Sequence, residues 1–167
     1  MIVYFHAGAV KKNFAADILK DKHGILSPAF FKNEHGKPYL EGNPLFFNLS
    51  HSKNIAVLAV CEREVGIDVE KLVPRKFDRI LNHFSERERE EISTLEGFLK
   101  HWTVKESFVK YLGLSIAEEW KALEYFGGAL FWKGEKQSVS LKTFLGDDCV
   151  FTVCTALEER ISLIRMP

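Results

Sequence analysis

Residues 55–70 read IAVLAVCEREVGIDVE, a run of β-branched and apolar side chains that ends on two carboxylates, Asp68 and Glu70. The pattern predicts two buried strands joined as a hairpin through CERE. Successive side chains on a strand point to opposite faces, so Asp68 and Glu70 share one face and Val69 points to the other. Two acids held together in apolar surroundings repel each other, which raises at least one pKa. A divalent cation removes that penalty. Mg²⁺ takes hard oxygen ligands, drawn from carboxylates, water and substrate phosphates. A strand end with two solvated acids is the competing reading, and the pair by itself does not separate them.

Working outward, the chain has 167 residues, 46% hydrophobic and 28% charged, which suits one core-bearing domain or two small fused halves. Its 23 basic residues balance 23 acidic ones. A nucleic-acid binder carries a basic excess, so that class loses ground and only a local basic pocket remains open. The opening MIVYFHAGAVKKNF lacks the charged region and long apolar stretch of a signal peptide. No run of about 18 apolar residues is present to cross a bilayer. The expectation is a cytoplasmic protein with no membrane partner. Cys61, Cys149 and Cys154 sit in strand-like apolar segments without CxxC spacing and read as buried reduced thiols. Most of the 14 phenylalanines read as core.

Along the chain, MIVYF predicts a strand, and residues 10–19 predict a helix with Val10, Phe14, Ile18 and Leu19 on one side. A turn-rich stretch, KNEHGKPYLEGNP, precedes three strand-like pieces, LFFNLS, NIAVLAVC and EVGIDVE. Pro74 breaks the pattern and marks a seam. Ser85 with Glu88 three residues on reads as a capping box opening a charged helix. The strongest helix is TLEGFLKHWTVKESFVKYLG, with Leu95, Phe98, Leu99, Trp102, Val109 and Leu112 on one face and Gly113 as its terminator. Beyond it ALEYF, ALFWK, SVSLKTFL, CVFTVCTAL and RISLIR predict strands, with Gly127–Gly128 as a hairpin turn. The expected class is α+β. Two halves, 1–73 and 74–167, share a similar layout without alignable sequence.

Two further constellations bear chemistry. In WTVKESFVK, Trp102, Glu106 and Lys110 fall on one stripe bordering the apolar face. An i,i+4 salt bridge is the bland reading, worth a few tenths of a kcal/mol. The functional one makes Glu106 a third metal ligand and aims Lys110 at an anionic substrate. Spacing alone does not choose. In FFNLSHS (46–52), a Ser-His hydrolase is disfavoured because neighbouring side chains on a strand point apart and no GxSxG elbow is present. A phosphate cradle of hydroxyl, imidazole and backbone N–H fits better. The competing reading is a strand end with a capping serine and a surface histidine. Lys37 of GKPYL could add a cation, or be a solvated turn lysine.

Taken in order, GKP, FNLSHS, GIDVE and WTVKESFVK with its following Gly113–Leu114 resemble the 4′-phosphopantetheinyl transferases of the larger, Sfp-like class. The resemblance covers nearly the whole chain, from about Val10 to the last strands. It implies a pseudo-dimeric α+β fold, with coenzyme A and Mg²⁺ bound in the cleft between two similar halves related by a pseudo-two-fold. By motif position Asp68, Glu70 and Glu106 are the metal acids, and Lys110 contacts the coenzyme A phosphates and steadies the transition state. Lys37 and Pro38, with Ser50 and His51, meet the nucleotide end, His51 at its 3′-phosphate. Lys12 matches a basic position on the family's first helix. Members of this class commonly begin with a longer segment carrying more basic residues, whereas here only Lys11 and Lys12 stand near the start. The stretch KYLGLS is also tighter than usual. Both differences bear on nucleotide contacts and leave the acids untouched.

What the resemblance implies is attack by a carrier-protein serine on the coenzyme's β-phosphate, release of adenosine 3′,5′-bisphosphate, and Glu106 as the base, with Asp68 and Lys110 in the catalytic set. The partner is an apo acyl or peptidyl carrier protein, met by basic Arg75, Lys76 and Arg79. A chain holding both halves needs no second copy, so a monomer is expected. Two rivals stay open: another Mg²⁺-dependent phosphoryl-transfer or phosphodiester-cleaving enzyme, and a coenzyme A binding module without turnover.

Overall fold

The fold is given by a computed structural model that describes every residue except Val10, Asn43, Arg75 and Asp147. The first part of the chain runs β1 (Ile2–Ala7), α1 (Phe14–His23), β2 (Phe30–Lys32), β3 (Pro38–Leu40), β4 (Phe46–Ser52), β5 (Ile55–Cys61) and β6 (Val65–Lys71). Helices follow: α2 (Asp78–Leu81), α3 (Glu86–Glu91), α4 (Leu95–Leu112), α5 (Ile116–Glu119) and a 3₁₀ turn at Trp120–Ala122. The chain closes with β7 (Leu123–Phe126), β8 (Ala129–Trp132), β9 (Glu135–Lys136), β10 (Ser140–Leu145), β11 (Cys149–Thr155) and β12 (Ser162–Met166). The class is α+β, as expected.

Two sheets form the body, in orders β12-β1-β5-β4 and β10-β11-β6. Between them lie Val57 and Ala59 of β5, Ile67 and Val69 of β6, and Phe151 and Val153 of β11. Leu58 and Val60 point the other way, under Phe14, Ile18 and Leu19 of α1. The outer face of the second sheet is covered by α4, which packs on β6 and β11. The layers are therefore α1, sheet, sheet, α4, and apolar residues that alternate along β5 and β11 bury both faces of those strands.

The expected hairpin of residues 55–70 is corrected here. β5 is hydrogen-bonded between β1 and β4, while β6 pairs with β11. Both edges of β5 are already taken, so the short link Glu62–Glu64 carries the chain across to the other sheet. The free edge of β6 is then closed by side chains. The backbone N–H groups of Ile67, Val69 and Lys71 donate to Asn48 Oδ1 (2.9 Å), Ser50 Oγ (3.3 Å) and Ser52 Oγ (3.2 Å) of β4. Three alternate residues of one strand satisfy three alternate donors of the next.

Other local readings shift. The first helix begins at Phe14 and runs to His23, ending on Gly24 at φ 71°; Val10 lies outside the described residues. The stretch read only as turns contains the hairpin β2–β3. Phe30 and Phe31 are exposed, at 43% and 52%, although Phe31 stacks on Tyr39. The capping box at Ser85 and Glu88, the left-handed Gly113 after α4 and the Gly127–Gly128 turn between β7 and β8 are all present. The three cysteines are buried, and no disulfide joins them among the described residues. Among the described residues no helix is long and apolar enough to cross a membrane.

Candidate functional site

The acid pair faces α4. On β6, Val69 points into the core between the sheets, which puts Gly66, Asp68 and Glu70 on the opposite, helix-facing side. Gly66 lets the helix come close: a Cβ there would overlap the Ser107 carbonyl oxygen and the Tyr111 backbone. Asp68 is 3% exposed. Its Oδ1 accepts from Ser50 Oγ at 2.8 Å and from Lys110 Nζ at 2.6 Å. Ser52 Oγ donates to Glu70 Oε2 at 3.2 Å. The serines of FNLSHS thus carry both carboxylates as well as closing the edge of β6.

From α4, Glu106 and Lys110 reach the same place. Lys110 Nζ stands 3.7 Å from Glu106 Oε2 and 3.1 Å from Ser50 Oγ. Burial pushes the Glu106 carboxyl up to about 7, and the Asp68 and Glu70 charges push the same way against Lys110. Burial raises the Asp68 pKa as well, opposed by the Lys110 ammonium and the Ser50 hydroxyl. The Lys110 ammonium thus stands between Asp68 and Glu106, drawn from segments nearly forty residues apart.

An open cleft of about 380 Å³ adjoins them, lined by Lys37, Pro38, Asn48, Glu106, Lys110 and Leu114 among others. The remaining candidates are spread around it. Lys37 is buried, and its ammonium donates to Glu64 Oε2 (2.6 Å), the Tyr111 carbonyl (3.0 Å) and the Val65 carbonyl (3.3 Å). Burial lowers its pKa, with Glu64 acting in the other direction. Ser50 points at Asp68, whereas the neighbouring His51 is exposed on the other face of β4. Lys12 is exposed in the turn before α1 and does not line this cleft.

Sequence reasoning missed a buried ion pair behind the site. Lys105 and Glu88 are both 0% exposed, with Lys105 Nζ at 3.0 and 3.2 Å from the two carboxylate oxygens. Glu88 also accepts from the backbone N–H of Tyr125 (3.0 Å) and of Ser85 (2.9 Å). The Lys105 ammonium lies 4.2 Å from the Trp120 ring centre. One carboxylate so ties α3, α4 and β7 together. A signal was available: position 105 falls seven residues from both Phe98 and Leu112, on the apolar stripe of the helix.

Among the described residues, no group of three or more acidic, histidine or cysteine side chains is arranged to hold a metal ion. The chemistry of the donors nevertheless suits a hard divalent cation, because the Asp68 and Glu106 carboxyls both flank Lys110 and one buried oxygen, Asp68 Oδ2, has no hydrogen-bond partner among the described residues.

The class defined so far is an α+β protein whose strand-borne acid pair meets an acid and a lysine of a helix beside a cleft. The chain belongs to the 4′-phosphopantetheinyl transferase superfamily, whose profile matches residues 64–154. That span contains Asp68, Glu70, Glu106 and Lys110, while Lys12, Lys37, Pro38, Ser50 and His51 precede it. The chain is 35% identical over 102 residues to a 4′-phosphopantetheinyl transferase of Bacillus subtilis, covering 55% of this chain and 46% of that protein. It is 33% identical over 134 residues to the L-aminoadipate-semialdehyde dehydrogenase-phosphopantetheinyl transferase of Xenopus laevis, covering 68% and 44%. With the 4′-phosphopantetheinyl transferase AcpT of Salmonella typhi it shares 42% identity over 96 residues, covering 52% and 50%. The matches extend over about half the length of each of these relatives.

Proposed function

We infer that this chain transfers the 4′-phosphopantetheine arm of coenzyme A to a serine hydroxyl of an apo acyl or peptidyl carrier protein, with Mg²⁺, releasing adenosine 3′,5′-bisphosphate. The observation that carries the reading is the Lys110 ammonium set between Asp68 and Glu106, with Lys110 and Glu106 lining a cleft. Family membership and the printed names of the relatives support it.

The carrier serine oxygen bonds to the β-phosphorus of coenzyme A. The bond from that phosphorus to the bridging oxygen breaks, and its electron pair leaves with adenosine 3′,5′-bisphosphate. Glu106 takes the serine proton from its place on the cleft wall beside Lys110. Asp68 and the Ser50 hydroxyl orient the Lys110 ammonium at the cleft, where it faces charge growing on the phosphoryl oxygens. Asp68, Glu70 and Glu106 would hold Mg²⁺, which would supply further positive charge at the pyrophosphate. At the nucleotide end, Lys37 and Pro38 line the wall, Ser50 supports it from β4, His51 takes the 3′-phosphate and Lys12 lends charge from beyond. Exposed Lys76 and Arg79 meet an acidic carrier surface, whereas Arg75 lies outside the described residues. Two halves, 1–73 and 74–167, related by a pseudo-two-fold and working as a monomer complete the proposal, and residues of both line the cleft.

Incubation with coenzyme A, Mg²⁺ and an apo-carrier tests this, read as the mass gain of one phosphopantetheine arm on the carrier. Nucleotide release without that gain would instead indicate water as acceptor, and coenzyme binding with neither would indicate a binding module.

A further inference from the structure

Two segments far apart in sequence line the cleft together. His35, Gly36, Lys37 and Pro38 come from the turn between β2 and β3, and Gly113 and Leu114 come from just past the end of α4. One amide joins them. Asn33 Nδ2 donates to the Gly113 carbonyl at 2.7 Å, across 80 residues of chain. Its Oδ1 accepts from the backbone N–H of Lys37 (2.8 Å) and of His35 (3.1 Å). An amide side chain both accepts and donates, so Asn33 shapes the turn with one atom and ties it to the helix end with the other.

The contact is close. Gly113 has φ 70°, and a Cβ there would come 2.8 Å from Asn33 Nδ2 and 3.1 Å from the Tyr39 hydroxyl oxygen. The Lys37 ammonium reinforces the same seam. Its three N–H donors meet Glu64 Oε2, the Val65 carbonyl and the Tyr111 carbonyl. The Tyr111 carbonyl belongs to the last turn of α4, where no later helical N–H is available to it. Lys37 therefore spends its donors on the protein and serves the cleft as wall and tie.

We propose that Asn33 is a positioning residue, whose amide holds the β2–β3 turn against the end of α4 and so sets the width of the opening that coenzyme A enters. This rests on the transferase reading. Without the tie the turn moves off Gly113, while α4 stays packed on β6 and β11 with Glu106 and Lys110 in place. Coenzyme binding suffers, and the step that follows it does not.

Asn33→Ser and Asn33→Asp test this, because each keeps an oxygen for the turn N–H groups and neither can donate to Gly113. Both are expected to weaken coenzyme A binding in calorimetry about fivefold, the worth of one hydrogen bond. The KM for coenzyme A should rise by the same factor, with kcat at saturation within about twofold of wild type. Unchanged binding in Asn33→Ser overturns the proposal, whatever Asn33→Asp does, since a loss confined to the acid is charge repulsion. A fall in kcat at constant KM overturns it as well. Should both variants fail to fold, wild type decides: the Asn33 side-chain amide signal in a two-dimensional spectrum is expected to shift when coenzyme A is added, and an unmoved signal overturns the proposal. Weaker coenzyme A binding by both variants, with no arm delivered to a carrier by wild type, keeps the positioning role and removes the transferase reading. Arm delivery with unchanged coenzyme A binding does the reverse, and a wild type that binds no coenzyme A removes both.

Discussion

Gly66 and Glu106 show how much rests on single side chains. Gly66 lies under α4, where an added Cβ would strike the Ser107 carbonyl and the Tyr111 backbone. Neither neighbour is the loose end of a flexible side chain, so the helix itself must move. Gly66→Ala is expected to cost roughly 1–3 kcal/mol or more, read from urea unfolding, and to reduce transfer by shifting Glu106 away from Asp68. A variant as stable and as active as wild type would show that α4 is not held this closely. Glu106 couples the site to pH. Its ordinary pKa of 4.5 applies to the unfolded chain, while burial and the β6 acids raise it to about 7 in the fold. A proton is thus bound more tightly by the folded protein. The resulting stabilisation is fully present below pH 4.5 and is lost as pH rises through 7, at most roughly 3 kcal/mol. Asp68, raised for the same first reason, adds in the same direction. In chelator the melting temperature should fall between pH 5 and pH 8, and Glu106→Gln should flatten that fall. Parallel curves for the two proteins would remove Glu106 as the titrating group.

At the scale of elements, α4 holds two opposed kinds of charge. Glu106 and Lys110 open to the cleft, and Lys105, a third of a turn from Glu106, is sealed against Glu88 and the Trp120 ring. Lys105→Met leaves the Glu88 carboxylate buried without its cation, a loss expected at about 3–5 kcal/mol. Glu88→Gln added to it removes the stranded charge yet keeps a side-chain oxygen for the Tyr125 N–H, so the double variant should recover part of the loss in urea unfolding. A single variant within 1 kcal/mol of wild type, by the same order-of-magnitude measure, would mean the pair contributes nothing. The helix was legible in sequence because apolar spacing and the Gly113 terminator agree, and the structure adds a Thr94 cap. Lys105 was passed over because a lysine between Val104 and Glu106 reads as surface until its place on the apolar stripe is counted. The strand pairing was harder. Glu62–Glu64 is short enough for a hairpin, and nothing local in residues 55–70 announces that β6 belongs with β11, about eighty residues later. The role of Asn48, Ser50 and Ser52 follows from that hidden pairing. Alternation alone put them on one face, but only the bare edge of β6 explains why that face is polar.

For the whole molecule, the partners of β1 and β6 decide what the division at Pro74 means. β12 adds to β1 in parallel, and β6 pairs along its length with β11. Each body sheet thus contains strands from both sides of residue 74. The core between the sheets is likewise mixed, with Val57 and Ile67 from one side and Phe151 and Val153 from the other. A fragment of residues 1–73 would expose the β11-facing edge of β6 and one whole face of its apolar strands, and residues 74–167 would leave the opposite surface open. Neither piece has a closed core of its own, although each carries residues of the cleft. Expressed alone, each fragment is expected to unfold without a cooperative transition in circular dichroism. Mixing the two should restore one transition, together with the two-dimensional amide spectrum of the intact chain. A cooperative melt from residues 1–73 alone would mean that the seam separates two independent folding units. The meeting of Asp68 with Glu106 would then depend on docking between finished domains. In the interleaved chain the core needs both sides of Pro74, so the core and the candidate site are expected to be lost and regained together.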